Sequence, residues 1–484
     1  MVCQETLREH EKEQPLTTDC TLQRYLFQGP GRREIVATFD GGRISSDGGL
    51  PLVSEVDRRR RIVERFAACF EDSRQPGSVE HSVVELLRQR LYALASGYED
   101  LNDHDELRTD ALLAAVVGKA DPEGQTRKRE RDRGAALAGK STLNRLEWGV
   151  ASEATQDRYR RIAISPEAVD RFFVELFLDA YNEPPEEIVL DLDATDDPLH
   201  GAQEGRFFHG YYGHYCYLPL YVFCGRHLLC ARLRRSDIDA SAGSVEELER
   251  IVGQIREAWP ETRILVRGDS GFARENLMCW CEEHGVDYIL GLARNPRLQA
   301  RLKPAFERAH ELCEQTGEPV RVFDEWMHET LKTWNRKRRV IGKAEITHKG
   351  ENPRFIVTSL EGNARKLYEQ IYCARGDMEN RIKEQQLDLF ATRTPGRLMR
   401  VNQIRLWLAS VAYVLLDELR RWGLAGTRLE TAYCSTLRLK LLKIGARVRI
   451  TSRKVWVSLA SSCPDQDLFA HAWNQLQRAG PANV

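Results

Sequence analysis

Two apolar runs that each stop on a carboxylate constrain this chain most. In IVLDLDATD, residues 188–196, Ile188, Leu190 and Leu192 alternate with Val189, Asp191 and Asp193. A period of two predicts a β-strand carrying both carboxylates on one side. In RILVRGD, residues 263–269, a second strand ends at Asp269 and passes through Ser270 and Gly271 into a helix. Between the two lie YGHYCYLPLYVFCG and HLLCARLRR, which predict a hairpin around Gly225, and a helix striped by Val245, Leu248, Ile251, Val252 and Ile255. Ser244 with Glu247 reads as its capping box. DYILGLA adds an inner strand. The order β-β-β-α-β-α-β predicts an α/β fold with a mixed sheet, and such sheets place their chemistry at strand C-termini.

The chain has 484 residues, 42% hydrophobic and 30% charged, which is too long for one compact core and too apolar for disorder. No C-x-x-C occurs among its 12 cysteines, so neither a zinc ribbon nor a disulfide scaffold is expected. No uncharged apolar run reaches the roughly 18 residues of a membrane span, and MVCQETLREHEKEQ lacks a signal-peptide core. A soluble, intracellular, reduced protein is expected, with no membrane partner. Lys and Arg number 71 against 72 Asp and Glu, but 14 of the cations fall between Arg393 and Lys454 with only Asp417, Glu418 and Glu430. Such a segment either seeks polyanions or is the solvated face of ordinary helices.

The expected organisation is a mainly helical region 1–186, an α/β core beginning at 187–294, a β-rich insertion 295–360, the remainder of the core at 361–392, and a basic, mainly helical region 393–484. A long helix is expected from about Asn363 to Phe390. At about 100° per residue, Tyr372, Arg375, Glu379, Lys383 and Gln386 fall within about 80° of one another. Ile371, Met378 and Ile382 form a separate stripe that would seat the helix on the sheet.

Asp193, Asp269 and Glu379 thus come from two strand ends and a helix able to cross them. Each alone reads most simply as a cap or a surface acid; jointly placed, they make a site. Oxygen donors without a Cys or His set favour two Mg²⁺ or Mn²⁺ ions, which suit in-line displacement at phosphorus. Arg375 would clamp a phosphate.

The motifs LDLDATD, LVRGDSGF and YCARGDMENRIKEQQLDLF, with FDGGRISSDGGLPL upstream, resemble those of insertion-sequence DDE transposases of the thirteen-eighty family, from about residue 36 onward. The resemblance implies a ribonuclease-H-like catalytic domain with a β-rich insertion before its glutamate helix. It implies Asp193, Asp269 and Glu379 as metal-binding catalytic residues, and DNA-phosphate contacts from Tyr372, Arg375 and Lys383. The family's lysine is expected seven residues after the glutamate, where Gln386 stands; Lys383 could supply that charge. Asp191 rivals Asp193, which is preferred because DAT resembles the family's pattern. The implied function is a bacterial, cytoplasmic and nucleoid-associated transposase. It would bind the inverted terminal repeats of its element, cleave double-stranded DNA, and transfer the strands to target DNA as a homodimer in the DNA complex. The alternatives are a structure-specific nuclease with the same metal site and a catalytically idle DNA-binding derivative.

Other signals compete. GAALAGKS, residues 134–141, spells G-x-x-x-x-G-K-S, but it follows TRKRERDR rather than a buried strand, and its alanines suit a helix. His200, His209 and His214 read as packing residues of a hairpin. EDLNDHDELRTD lacks the glycine and final glutamate of a calcium loop. Cys279 and Cys281 are too close for a usual zinc pair. Trp326 and Trp334 suit base stacking and core packing equally.

Overall fold

The structure is a computed structural model that describes residues 23–28, 33–149 and 161–478. Its N-terminal region includes the helices Leu50–Arg60 (α1), Val83–Ala95 (α2), Lys140–Glu147 (α3) and Pro166–Leu178 (α4). Ser82 caps α2 by accepting from the Glu85 N–H while the Glu85 carboxylate accepts from the Ser82 N–H, a reciprocal box. Gly97, at φ 92°, follows the end of α2, as its place in the sequence predicts.

The central sheet begins with Glu187–Ala194 (β1), Leu220–Cys224 (β2) and His227–Arg232 (β3), paired antiparallel in succession. The chain then passes through helix Ser244–Ala258 (α5), strand Arg263–Gly268 (β4), helix Glu275–Glu283 (α6) and strand Asp287–Leu292 (β5). β4 lies parallel to β1, and β5 parallel to β4. The order β3-β2-β1-β4-β5, antiparallel then parallel, is that of a ribonuclease-H-like core. Helix Pro296–Thr316 (α7) leads to Val320–His328 (β6), Arg338–Thr347 (β7) and Arg354–Thr358 (β8). β8 pairs antiparallel with β5, β7 with β8, and β6 with β7. The stretch between β5 and the glutamate helix therefore continues the same sheet past its parallel edge.

Alternation decides which side each residue serves. Ile188, Leu190 and Leu192 pack with Leu248, Ile251, Val252 and Ile255 of α5 on one face. Burying each of these aliphatic side chains contributes about 1.5–3 kcal/mol. Val189 and Leu265 pack on the opposite face with Leu367 and Tyr368, so the odd positions of β1 and β4, including Asp191, Asp193 and Arg267, face the segment that leads to Glu379, and Asp269 follows directly on β4.

Three local expectations are corrected. Helix α5 starts after Gly243, at φ 78°, with no side-chain cap: the Ser244 hydroxyl donates to the Ser241 carbonyl, and Glu247 is held by Arg232 and Arg250. The Ala135–Ala138 stretch is not helical, because Gln89 pairs with both the N–H and the carbonyl of Ala138 and so satisfies backbone groups that helix bonds would otherwise take. The basic segment is partly internal. Helix Met399–Glu418 packs against α2, Arg405 lies 2.7 Å from Glu147, and the fully buried Arg420 lies 2.6 Å from Glu384. Arg447, Arg449, Arg453 and Lys454 stay exposed on and around the hairpin Ala446–Ile450 and Val455–Leu459.

The second glycine pair of FDGGRISSDGGLPL has a packing role. The Gly48 N–H donates to Ile444 and the Gly49 N–H to Leu442, and a Cβ on Gly49 would stand 1.7 Å from the Leu441 carbonyl oxygen. Only glycine permits that backbone approach.

Candidate active site

Gly268 of β4 stands opposite Leu192 of β1, so the next residues, Asp269 and Asp193, leave adjacent parallel strands at the same end of the sheet. Asp269 turns the chain there, accepting from the Gly271 N–H at 2.8 Å. Glu379 lies on helix Gly376–Lys383 (α8), which Met378 and Ile382 anchor in the core. Arg375, just ahead of α8, joins the constellation: its guanidinium is 2.6 Å from Glu379 and 3.6 Å from Asp193. Burial pushes the Asp193 carboxyl up to about 7; Arg375 opposes the rise, while Asp269 and Glu379 add to it. Three acids separated by up to 186 residues in the chain therefore share one electrostatic neighbourhood.

Tyr372 enters from the same helical stretch. A Cβ on Gly291 of β5 would come within 2.6 Å of its hydroxyl and 3.0 Å of the Asp269 carbonyl carbon, so glycine on β5 lets the tyrosine sit beside the Asp269 turn. Burial raises the Tyr372 phenol above its ordinary range, with Arg375 opposing.

The uniform helix of the sequence reading is not what forms. The stretch is helical but contains π-turns at Leu367–Tyr372 and Glu384–Asp388 and a 3₁₀ turn at Cys373–Arg375. Such irregular turns shift residues around the axis and recur at functional sites. Arg375 and Glu379 keep their i,i+4 pairing, while the Gln386 amide donates to the Asp196 carbonyl. Lys383 is exposed, and among the described residues no hydrogen bond or ion pair joins it to the three acids.

Asp191 and Asp193 have different surroundings. Asp191 is 3% exposed and receives both Nε and Nη2 of Arg267, at 2.5 and 2.7 Å. Arg267 also donates to the carbonyl of Ile371, next to Tyr372. The pair Asp191–Arg267 thus ties β1 and β4 to the approach of the glutamate helix. Sequence reasoning missed Arg267. The signal was present, since Arg267 precedes Asp269 by two residues as Asp191 precedes Asp193, a matched charge pair inside two apolar strands.

Three carboxylates with no thiol or imidazole among them fit a hard divalent cation, and their mutual repulsion at Asp193 is what such a cation relieves. With Arg375 bridging two of them, the acids are not drawn into one coordination shell, and among the described residues no group of three His, Cys, Asp or Glu stands at metal-binding spacing.

The profile of the family described as transposase DDE domain group 1 matches residues 27–481. The chain belongs to that family. Among solved structures it is similar to piggyBac transposase in the cryo-EM synaptic complex with hairpin DNA, at 11% identity over 83% of this chain and 81% of that one, with a TM-score of 0.39. No curated protein sequence matches it. As a DDE transposase the chain is an enzyme of DNA transposition, in a family that generally uses divalent ions.

The remaining sequence signals resolve in this transposase as packing. His214 lies 2.8 Å from Asp196 on the strand pair Phe207–His209 and His214–Tyr217. Trp326 packs edge-on to Phe355, and Trp334 against His328 and Arg338. Cys281 is buried, whereas Cys279 contacts Glu275. GAALAGKS meets α3 without a preceding strand, which a nucleotide-hydrolase loop requires. Among the described residues no helix is long and apolar enough to cross a membrane.

Proposed function

We propose that this transposase, of the thirteen-eighty type, binds the inverted terminal repeats of its own element, cuts the duplex there, and joins the freed 3′-hydroxyls to target DNA. The observation that carries this reading is the convergence of Asp193 and Glu379 on Arg375 with Asp269 beside them. Asp193, Asp269 and Glu379 would hold two Mg²⁺ or Mn²⁺ ions. When bound, such ions supply activation of the attacking water or hydroxyl and stabilisation of the leaving oxygen.

The protein's own residues do the positioning. Arg375, held between two acids at the site, would bind a phosphate oxygen of the DNA. Tyr372 fixes the strand from beside the Asp269 turn, and Lys383 holds the flanking backbone from its exposed place one turn beyond Glu379. Asp193 rather than Asp191 serves as first ligand, because Asp191 has both oxygens committed to Arg267. Residues 1–186 act as the DNA-end-binding region, 187–294 and 361–392 as the catalytic core around 295–360, and 393–484 as a basic region adding backbone contacts. Bringing two ends together calls for a homodimer in the DNA complex, in a bacterial nucleoid.

The test is a plasmid integration assay with a donor carrying two element ends. Wild type is expected to yield joined products with Mg²⁺ or Mn²⁺, and Asp193→Asn, Asp269→Asn and Glu379→Gln to yield none. Cutting without joining would favour the structure-specific nuclease. Binding of the ends without cutting would favour the idle derivative.

A further inference from the structure

A second cleft, of about 1000 Å³, opens in the N-terminal region between residues 74–81, 105–108, 127–132, 139–145 and 161–162. None of its walls comes from the elements that carry Asp193, Asp269 or Glu379. Among the described residues lining it, eight are Arg or Lys and three are Asp or Glu. Those three acids are already engaged: Asp132 accepts from Arg108 at 2.9 Å, Asp105 lies 3.0 Å from Lys140, and Glu80 lies 3.1 Å from Arg127. The surplus is carried by Arg129, Arg131 and Arg161, all exposed. Among the described residues neither Arg129 nor Arg161 has a side-chain hydrogen bond or ion pair, and Arg131 only approaches Asp132 at 4.0 Å.

Two further observations point to an anion. Helix α3 opens into the cleft with Gly139, Lys140, Ser141 and Thr142, has no side-chain cap, and carries no acid in its first turn. Asp105 accepts the Lys140 N–H and the Gly139 carbonyl accepts from Thr142 and Leu143, which among the described residues leaves the Ser141 N–H for an outside acceptor. His81, 5% exposed and lining the same cleft, has a buried Nε2 without a hydrogen-bond partner. Burial first, and then the nearby cations Lys119, Arg127, Arg74 and Arg108, hold its pKa down to about 3.

We propose that this cleft grips the phosphodiester backbone of the terminal-repeat duplex, apart from the carboxylates that cut it. The inference rests on the transposase reading above and names the surface that holds the ends. The cations come from separate chain segments spread along an open cleft, which suits a run of phosphates better than one triphosphate. The GKS sequence thereby acquires a role as an anion-binding helix end without being a nucleotide loop.

The test uses the full chain in EDTA, with fluorescence polarisation of a labelled repeat duplex over a KCl series. The variant Arg129→Glu/Arg131→Glu/Arg161→Glu is compared with wild type and with Arg301→Glu/Lys303→Glu/Arg308→Glu, an equal charge change on exposed positions of α7. The cleft variant should bind at least about 30-fold more weakly, with a log–log salt slope smaller by about 2–3. The control should bind as wild type does. Should the glutamates disturb folding, the three glutamines at 129, 131 and 161 should give a smaller loss in the same direction. Wild-type affinity in the cleft variants, an equal loss in the control, or displacement of the duplex by micromolar ATP would each overturn the proposal. Parallel Mg²⁺-dependent cutting of a two-ended plasmid separates the two readings. Wild type that binds repeats through the cleft but never cuts refutes the transposase reading alone, and wild type that cuts while the cleft variant binds normally refutes the cleft alone.

Discussion

Replacing Asp191 should unfold the site without touching its chemistry, and the structure sets the size of the effect. Asp191 is 3% exposed, and its two oxygens take two charge-assisted bonds from Arg267. Asp191→Ala leaves a buried guanidinium with one remaining partner, the Ile371 carbonyl. Removing one member of a buried pair costs about 3–5 kcal/mol; the surviving bond to Ile371 places the expected loss near the lower end, at about 3 kcal/mol. Urea unfolding followed by tryptophan fluorescence measures it, with the midpoint falling and the slope unchanged. The double variant Asp191→Leu/Arg267→Met removes both charges and should recover most of the loss, because an apolar pair of similar volume is close to neutral at a buried ion-pair site. Asp193→Asn should cost nothing in EDTA, since burial together with repulsion from the other two acids outweighs the attraction of Arg375 for its charge. Equal destabilisation by Asp191→Ala and Asp193→Asn, or no rescue in the double variant, would refute the division of roles between the two aspartates.

Gly291→Ala should drive a Cβ into the Tyr372 hydroxyl, costing about 1–3 kcal/mol and lowering the cleavage rate about tenfold or more, as paired unfolding and single-turnover assays would register. Arg420→Met should take from buried Glu384 its nearest cation, leaving it Arg381 at 3.5 Å and the Cys434 N–H, and so cost about 3 kcal/mol, the lower end for a broken buried pair, and reduce the soluble yield. In EDTA the Asp193 carboxyl, raised from an ordinary value of about 4 to about 7, takes up its proton more tightly when folded. Its favourable contribution is therefore complete below about pH 4, declines as pH rises through about 7, and is flat above that. The urea midpoint of wild type relative to Asp193→Asn should follow that curve, and saturating Mg²⁺ should remove the high-pH deficit.

The strand ends were readable because side-chain alternation and a terminal carboxylate are both local signals, and the shared offset of Asp191/Asp193 and Arg267/Asp269 encodes the register between β1 and β4. The irregular turns of the glutamate helix left no such trace, because its apolar stripe tolerates a π-turn; a uniform wheel gives the shared face of Glu379 and Gln386 but not the bond of Gln386 to the Asp196 carbonyl. Strand pairing beyond β5 was also hidden, since a period of two says that β6 to β8 are strands but not which edge they extend. Composition misjudged the C-terminal region, because a charge count cannot separate Arg420, buried against Glu384, from Arg449, exposed on a hairpin. It missed the N-terminal cleft for the converse reason, as Arg74, Arg129 and Arg161 are scattered along the chain and gather only in the fold.

The convergence of the three acids on a divalent ion is tested most directly by replacing Mg²⁺ with Fe²⁺ in the DNA complex and mapping where ascorbate and peroxide then cleave the polypeptide. Cuts clustered near residues 193, 269 and 379, and abolished by excess Mg²⁺, are the predicted result. Cuts at one of these positions alone, or only elsewhere, would contradict the account.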